Sequence, residues 1–432
     1  MTKYFDRVAV AVMDGVGCGT PDDVKEKYPE DEGANSLGNA SSVTPINAPG
    51  LQKMGLEFIP GFQGLKAANP ISHDQVRGAY GALTPTFAGK GSPEGHQALM
   101  GLVNQIPYLT FDKDGFPDCV VRQVEEAAAK VIGRAVKIVR YPETDDVNGV
   151  KFINTSGIGD VHLASKDQGT GELLLPIYAS SESLIQIAIH QGVLPQEVIE
   201  DVGKAVRAAI SPQILRVIMR PFIGDRPGSF TRVEEDRRDY GLDPSGPTVL
   251  DHLAEQNIPV YGIGKTPDMF NQRGFSPTRI EKGHDDRERI QSLIRHFSQR
   301  NNGAGLYFAN LIGTDMTYGH PRNPEGYVRH IEMISEHLRQ LLSVMKFRDL
   351  LIVTSDHGTD PTHQAHNNHT YEEVPLLVAG PGIYGAVNLG VRTTFADVAA
   401  TVADIFRLEE EVNDGIKIPR TYGGQSFLHQ LV

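Results

Sequence analysis

Short apolar runs recur along the chain at wide intervals. They read "VAVAVM" at 8–13, "VKIVRY" at Val136–Tyr141, "PVYGIG" at 259–264, "LYFANLI" at 306–312, "LLIVTS" at 350–355 and "VPLLVAG" at 374–380. Each run is continuous rather than alternating. That predicts strands buried on both faces, as in a parallel sheet covered by helices. Between them lie segments whose apolar residues follow helical spacing, at 117–132, 181–210, 248–256, 324–346 and 395–406. The second of these segments is framed by Ser and Glu: "SSESLIQIAIHQ" offers capping groups suited to the start of a helix over 181–210. Strand and helix in alternation predict an α/β protein. The middle of the chain, richer in Gly turns such as "NTSGIGD", predicts an inserted smaller α/β domain over 105–242. The core would then comprise 1–104 and 243–432.

Polar residues interrupt the pattern at particular places. Asp14 directly follows the first run, Asp315 follows "LYFANLIGT", and Asp356 and His357 follow "LLIVTS". All fall at predicted carboxyl ends of strands, where open α/β sheets form their ligand crevice. His320 lies in "GTDMTYGH" and His369 in "NNHTYEEVP", with His363 and His366 just before it. Carboxylates and imidazoles in this combination suit divalent ions. Two such ions about 4 Å apart can clamp both oxygens of an in-line phosphoryl displacement. Ser92 sits in the Gly-rich turn "GKGSPEGH", where a metal could activate its hydroxyl as a nucleophile. The same turn offers backbone N–H groups and Lys90 to anionic oxygens. Taken singly, an Asp after a strand is most often a turn former or helix cap, and a His in a polar loop is most often solvated. The joint pattern is what points to a metal site.

Composition narrows the partners. Forty-one basic against 54 acidic residues give a net charge of −13, which argues against duplex binding and leaves a locally positive phosphate site open. No run approaches the ~20 apolar residues of a membrane span, and 8–13 is too short for a signal peptide. With Cys18 and Cys119 as the two cysteines, no disulfide framework is expected, and a reducing cytoplasm is the default location. Nothing in the sequence sets the oligomeric state.

These segments resemble the alkaline phosphatase superfamily of metalloenzymes and, within it, the phosphopentomutases. The resemblance runs from "RVAVAVMDGVGCGTPDD" to "GGQSF" and takes in segments that carry no metal ligand, among them "IYASSESLIQIAIHQ", "RVIMRPFIGDRPGSFTR" and "FANLIGTDMTYGHPRNPEGYVRHIE". It implies an alkaline-phosphatase-like core with a mostly parallel sheet, and a substrate cap inserted into it. It implies that one metal is held by Asp14, Asp356, His357 and the Ser92 oxygen, and the other by Asp315, His320 and His369. His369 is preferred to His363 and His366 because "NHTYEEVPLLV" matches the family's run before its next strand. Manganese is the metal the resemblance favours, with zinc or magnesium as alternatives. The implied reaction interconverts ribose or 2-deoxyribose 1-phosphate and 5-phosphate through phospho-Ser92, primed by a sugar bisphosphate. Arg220, Arg237 and Lys265 are candidates for the substrate's distal phosphate; Ser180 and Glu182 are candidates for the sugar hydroxyls. The sequence departs from the family at Ser92, where Thr is usual, at Glu182, where Asp is usual, and at Arg238, where His is usual. Those departures keep two alternatives open, a mutase for another phosphosugar and a phosphohydrolase on the same scaffold. A small-molecule sugar phosphate is the expected partner, with no nucleic acid and no membrane.

Overall fold

The computed structural model describes residues 4–111, 114–141, 150–155, 157–166, 171–180, 182–299, 303–412 and 416–432. The chain forms two compact units, Met1–Gln105 with Pro244–Val432, and Ile106–Asp243.

The first unit is built on an eight-stranded sheet. Its order is Ile280–Glu281, Val260–Ile263, Gly305–Leu311, Arg7–Met13, Asp349–Thr354, Val374–Ala379, Gly78–Leu83 and Ala386–Arg392. The strand Arg7–Met13 pairs in parallel with both neighbours, Met13 opposite Leu311 and Val12 opposite Thr354. Successive residues serve opposite faces, as the pleat requires. Val8, Val10 and Val12 join one core with Phe308 and Ile352. Ala9, Ala11 and Met13 join the other with Tyr307 and Val353. The helices Ser92–Leu99, Val249–Glu255 and Ala396–Phe406 cover the first face, and Asp286–Ser298 and Pro324–Val344 cover the second. Both faces are therefore apolar, which is why the sequence runs are continuous.

At the amino ends of two central strands, Arg7 forms a buried fork with Asp349, Nε to Oδ1 at 2.7 Å and an Nη to Oδ2 at 2.5 Å. At their carboxyl ends lie Asp14 and Asp356.

The second unit holds a six-stranded mixed sheet. Its main path is Val136–Tyr141, Leu173–Tyr178, Leu184–His190, Arg216–Ile223 and Thr231–Arg232, with Arg238–Gly241 paired to Arg216–Ile223. The helices Asp118–Ile132 and Gln196–Ala209 pack on one face through Val120, Val124, Ile199 and Val202. Tyr178, Phe222 and Phe230 form a smaller apolar cluster.

Two expectations need correction. The helix expected over 181–210 is a strand, Leu184–His190, followed by a shorter helix, Gln196–Ala209; residue 181 lies outside the described residues. "LIQIAIH" is buried along its whole length and lies between two strands, so burial on both faces overrode the Ser/Glu cap signal. Val374–Ala379, read as one more parallel strand, runs antiparallel to both its neighbours. A run buried on both faces carries no sign of its direction.

Candidate metal centre

Three of the sheet's strands meet at the site. Gly305–Leu311, Arg7–Met13 and Asp349–Thr354 are adjacent and parallel, so their carboxyl ends open side by side. Adjacent strands lie about 4.8 Å apart. Side chains just beyond those ends are thereby brought to within coordinating reach, although 342 positions separate Asp14 from Asp356 along the chain.

Asp14, Asp356 and His357 form one cluster, and Asp315, His320 and His369 another; in each, one ligand atom per residue lies within 4.8 Å of the others. In the first cluster, His357 Nε2 lies 3.5 Å from Asp14 Oδ1 and 3.3 Å from Asp356 Oδ2. Ser92 Oγ stands 2.9 Å from the same Nε2. In the second, His320 Nε2 is 3.3 Å from Asp315 Oδ2, and His369 Nε2 is 3.6 Å from Asp315 Oδ1. The rings of His357 and His369 stack with centroids 3.7 Å apart, which joins the two clusters into one site.

Ser92 reaches this place because of its helix. It is the first residue of Ser92–Leu99, where the helix dipole favours an anion. The helix presses on the chain at Asp356 through Gly95: a Cβ built there would lie 2.0 Å from the Asp356 carbonyl oxygen. Only glycine fits that approach.

The surrounding groups fix the ligands' orientation. Asn310 Nδ2 donates to Asp14 Oδ2 at 3.0 Å, and Gly15 N–H donates to Asp356 Oδ1 at 3.2 Å. Thr359 Oγ1 donates to Asp315 Oδ1 at 2.6 Å. His320 Nδ1 donates to the Asn367 carbonyl at 2.6 Å, and His369 Nδ1 to the Lys90 carbonyl at 2.7 Å. His96 Nδ1 lies 2.8 Å from the Ser92 carbonyl and 3.2 Å from Asp356 Oδ2. Such partners set the tautomer of a ligating His and leave the other nitrogen for a metal.

The residues fit divalent ions. With both Nδ1 atoms donating, the Nε2 lone pairs of His320 and His369 face each other at 3.2 Å beside a carboxylate, an arrangement that needs positive charge between them. Asp14 Oδ1 and Asp356 Oδ2 are buried and have no hydrogen-bond partner among the described residues. Burial, then the Asp356 and Asp315 charges, push the Asp14 carboxyl well above its ordinary range. Burial would also raise Asp356, but the imidazoles of His357 and His96 outweigh it and hold it at about 2. Burial and the neighbouring His357 lower His369 to about 3, so it is a neutral ligand at ordinary pH. His320 rises against its burial because Asp315 faces it.

The remaining sequence candidates lie elsewhere. Lys90 directs its ammonium to Asp31 Oδ2 at 2.6 Å rather than toward Ser92. The Lys265 ammonium lies 3.3 Å from Met316 Sδ and lowers Asp14 by its charge. In the second unit, Arg220 is buried, with Nε donating to Gln186 Oε1 at 3.0 Å. Arg237 forms a fork with Asp239, both bonds 2.6 Å. Glu182 pairs with Arg216, and Glu182 N–H donates to Ser180 Oγ at 3.3 Å. Sequence reasoning missed Asn310, Thr359 and His96, which hold ligands in place, and Arg232. Among the described residues the buried Arg232 Nε and one Nη have no hydrogen-bond partner, that Nη lying 3.8 Å from Glu234 Oε1, and burial and the charges of Arg237 and Arg232 together lower Arg220. The "FTR" segment gave no signal for this, because a terminal strand Arg is ordinarily solvated.

Comparison with known proteins agrees with this geometry. The family model described as "Metalloenzyme superfamily" matches residues 268–410, a span that includes five of the six carboxylate and imidazole ligands. The phosphopentomutase of Carboxydothermus hydrogenoformans is 37% identical over 408 residues, 93% of this chain and 96% of its own. That of Herpetosiphon aurantiacus is 34% identical over 98% of this chain and 99% of its own. That of Caldanaerobacter subterraneus is 36% identical over 99% and 98%. Identity at this level along both full lengths, with carboxylates and imidazoles clustered at the carboxyl ends of three adjacent strands, places the chain in the phosphopentomutase family of intramolecular phosphotransferases.

Proposed function

We propose that the enzyme moves a phosphoryl group between O1 and O5 of ribose or 2-deoxyribose through Ser92. The observation that carries this is the placement of the Ser92 hydroxyl, 2.9 Å from His357 Nε2 at the head of a helix that Gly95 seats against Asp356. Two divalent ions, one among Asp14, Asp356, His357 and Ser92 and the other among Asp315, His320 and His369, would supply positive charge to the entering and leaving oxygens; manganese is the first choice, zinc or magnesium the alternatives.

The chain's own groups do the rest. The His357 contact orients the Ser92 oxygen, and the dipole of the helix start favours the negative charge of phospho-Ser92. A sugar hydroxyl attacks that phosphorus; the bond from phosphorus to Ser92 Oγ breaks as the new bond to the sugar oxygen forms. The product is a sugar bisphosphate. It returns its other phosphoryl group to Ser92, and the same compound primes a serine that has lost its phosphate. Within the second unit, Arg232 and Arg220 offer buried guanidinium groups suited to a phosphate. Arg237 is a further candidate for the distal phosphate, Ser180 and Glu182 are candidates for the sugar hydroxyls, and Lys265 is a candidate for phosphate oxygens in the first unit.

The test is a coupled assay with ribose 1-phosphate, 2-deoxyribose 1-phosphate and hexose phosphates, with and without added manganese. Formation of the 5-phosphate with little inorganic phosphate supports the reading. Phosphate release as the main outcome would make the protein a phosphohydrolase instead.

A further inference from the structure

A second cluster of ligating side chains lies beside the catalytic one and takes no part in it. We propose that Asp31, His363 and His366 form a third cation site, of the nitrogen-rich kind that suits zinc. One ligand atom from each lies within 4.8 Å of the others. Asp31 is wholly buried. Its Oδ1 lies 2.8 Å from His366 Nε2 and 4.0 Å from His363 Nε2. Ligand atoms about 2.0–2.1 Å from a tetrahedral zinc stand about 3.3 Å apart, and these two distances bracket that value.

The second observation is His363. Its side chain is 10% exposed, and its buried Nε2 faces the carboxylate with no hydrogen-bond partner among the described residues. A buried imidazole nitrogen without a partner is costly. His366 Nε2 already bonds Asp31 Oδ1 at 2.8 Å, and His363 Nε2 at 4.0 Å stands too far from it for a hydrogen bond, whereas one cation could sit among all three atoms. The charges agree: Lys90 lies 2.6 Å from Asp31 and 3.6 Å from Glu30, so the three together keep one negative charge for an ion.

The ion's task would be structural. The other Asp31 oxygen accepts from Lys90 Nζ and, at 2.8 Å, from Tyr371 N–H. Lys90 in turn gives its carbonyl to His369 Nδ1. A cation on Asp31, His363 and His366 would pin the segment 360–371, which carries His369, to the segment around Asp31. Three protein ligands leave a fourth position for water.

The test is a zinc count on the full chain, stripped with a chelator and then equilibrated with zinc and desalted. Elemental analysis should give three equivalents per chain for the wild type and two for a His363→Ala/His366→Ala variant. The Asp315→Asn variant identifies the catalytic ions separately, because it should lose one of the other two. Two or fewer equivalents in the wild type overturn the proposal, as do three in the folded double variant. Should the double variant fail to fold, His366→Asn carries the same comparison, and the wild-type count stands by itself.

Discussion

Replacing Gly95 by alanine tests whether the catalytic serine depends on the close approach of its helix to Asp356. The added Cβ would lie 2.0 Å from the Asp356 carbonyl oxygen, 2.7 Å from its carbonyl carbon and 2.9 Å from its Cα. All three atoms are backbone, so no side-chain rotation relieves the clash. To reach an ordinary contact, helix and strand end must separate by roughly 1 Å or more. Catalytic groups tolerate about 0.5 Å of displacement, and a misplacement of about 1 Å can reduce turnover about 100-fold. Overpacking of this kind also destabilises by about 1–3 kcal/mol. Ser92 and His96 ride on the same helix, and Asp356 and His357 on the opposing segment, so the displacement acts on the Ser92–His357 distance directly. The expected result in the coupled isomerase assay is a fall in kcat of about two orders of magnitude with only a modest loss in thermal stability. Calorimetric metal titration should show weaker binding at the Asp14, Asp356 and His357 cluster. A Gly95→Ala enzyme with wild-type kcat and wild-type metal affinity would refute the reasoning.

Three further outcomes are expected. Ser92→Ala should abolish turnover while elemental analysis still finds the catalytic ions, because six other ligands remain; isomerase activity in that variant would remove Ser92 from the mechanism. Arg7→Met should leave Asp349 buried without its partner and cost about 3–5 kcal/mol in denaturant unfolding, with kcat unchanged in the folded enzyme, since the pair lies at the far end of the strands from the site. His162 is buried and neutral: its Nδ1 donates to the Leu174 carbonyl at 2.6 Å and its Nε2 accepts from His190 N–H at 3.0 Å. Burial lowers it from 6.5 to about 4. The unfolded chain therefore binds the extra proton between those values and the folded chain does not, so His162 stabilises the fold above about pH 6.5. That contribution, on the order of 3 kcal/mol, is lost as pH falls toward 4. Histidine resonances followed by NMR against pH should show His162 untitrated at pH 5.5; a midpoint near 6.5 would contradict this.

The core was readable because its chemistry and its pattern coincide. Asp14, Asp356 and His357 each end a short continuous apolar run, the pattern of a strand buried on both faces. That placed their side chains at the carboxyl ends of strands before any neighbour was known. The pairing that brings the three strand ends together was not readable, because it depends on strand order, and the strand between 305 and 311 inserts beside 7–13 across nearly 300 positions. The run "LIQIAIH" shows the limit from the other side. Its β-branched residues suited a buried strand, yet the Ser and Glu before it read equally well as a helix start.

The residues that sequence reasoning missed share a physical character. Asn310 lies inside a strand, Thr359 in a loop and His96 on a helix face, and each brings one polar atom close to a carboxylate supplied from elsewhere in the chain. A ligand declares itself by its residue type at a strand end; the group that orients it is an ordinary polar residue until the fold shows what it faces. The same holds for His363 and His366. In the sequence they compete with His369 for one place at the catalytic centre. In the structure the competition disappears, because His369 Nδ1 turns to the Lys90 carbonyl and its Nε2 to Asp315, while His363 and His366 turn to Asp31. Three histidines within seven positions thus serve two separate carboxylates, and the backbone between them decides which serves which.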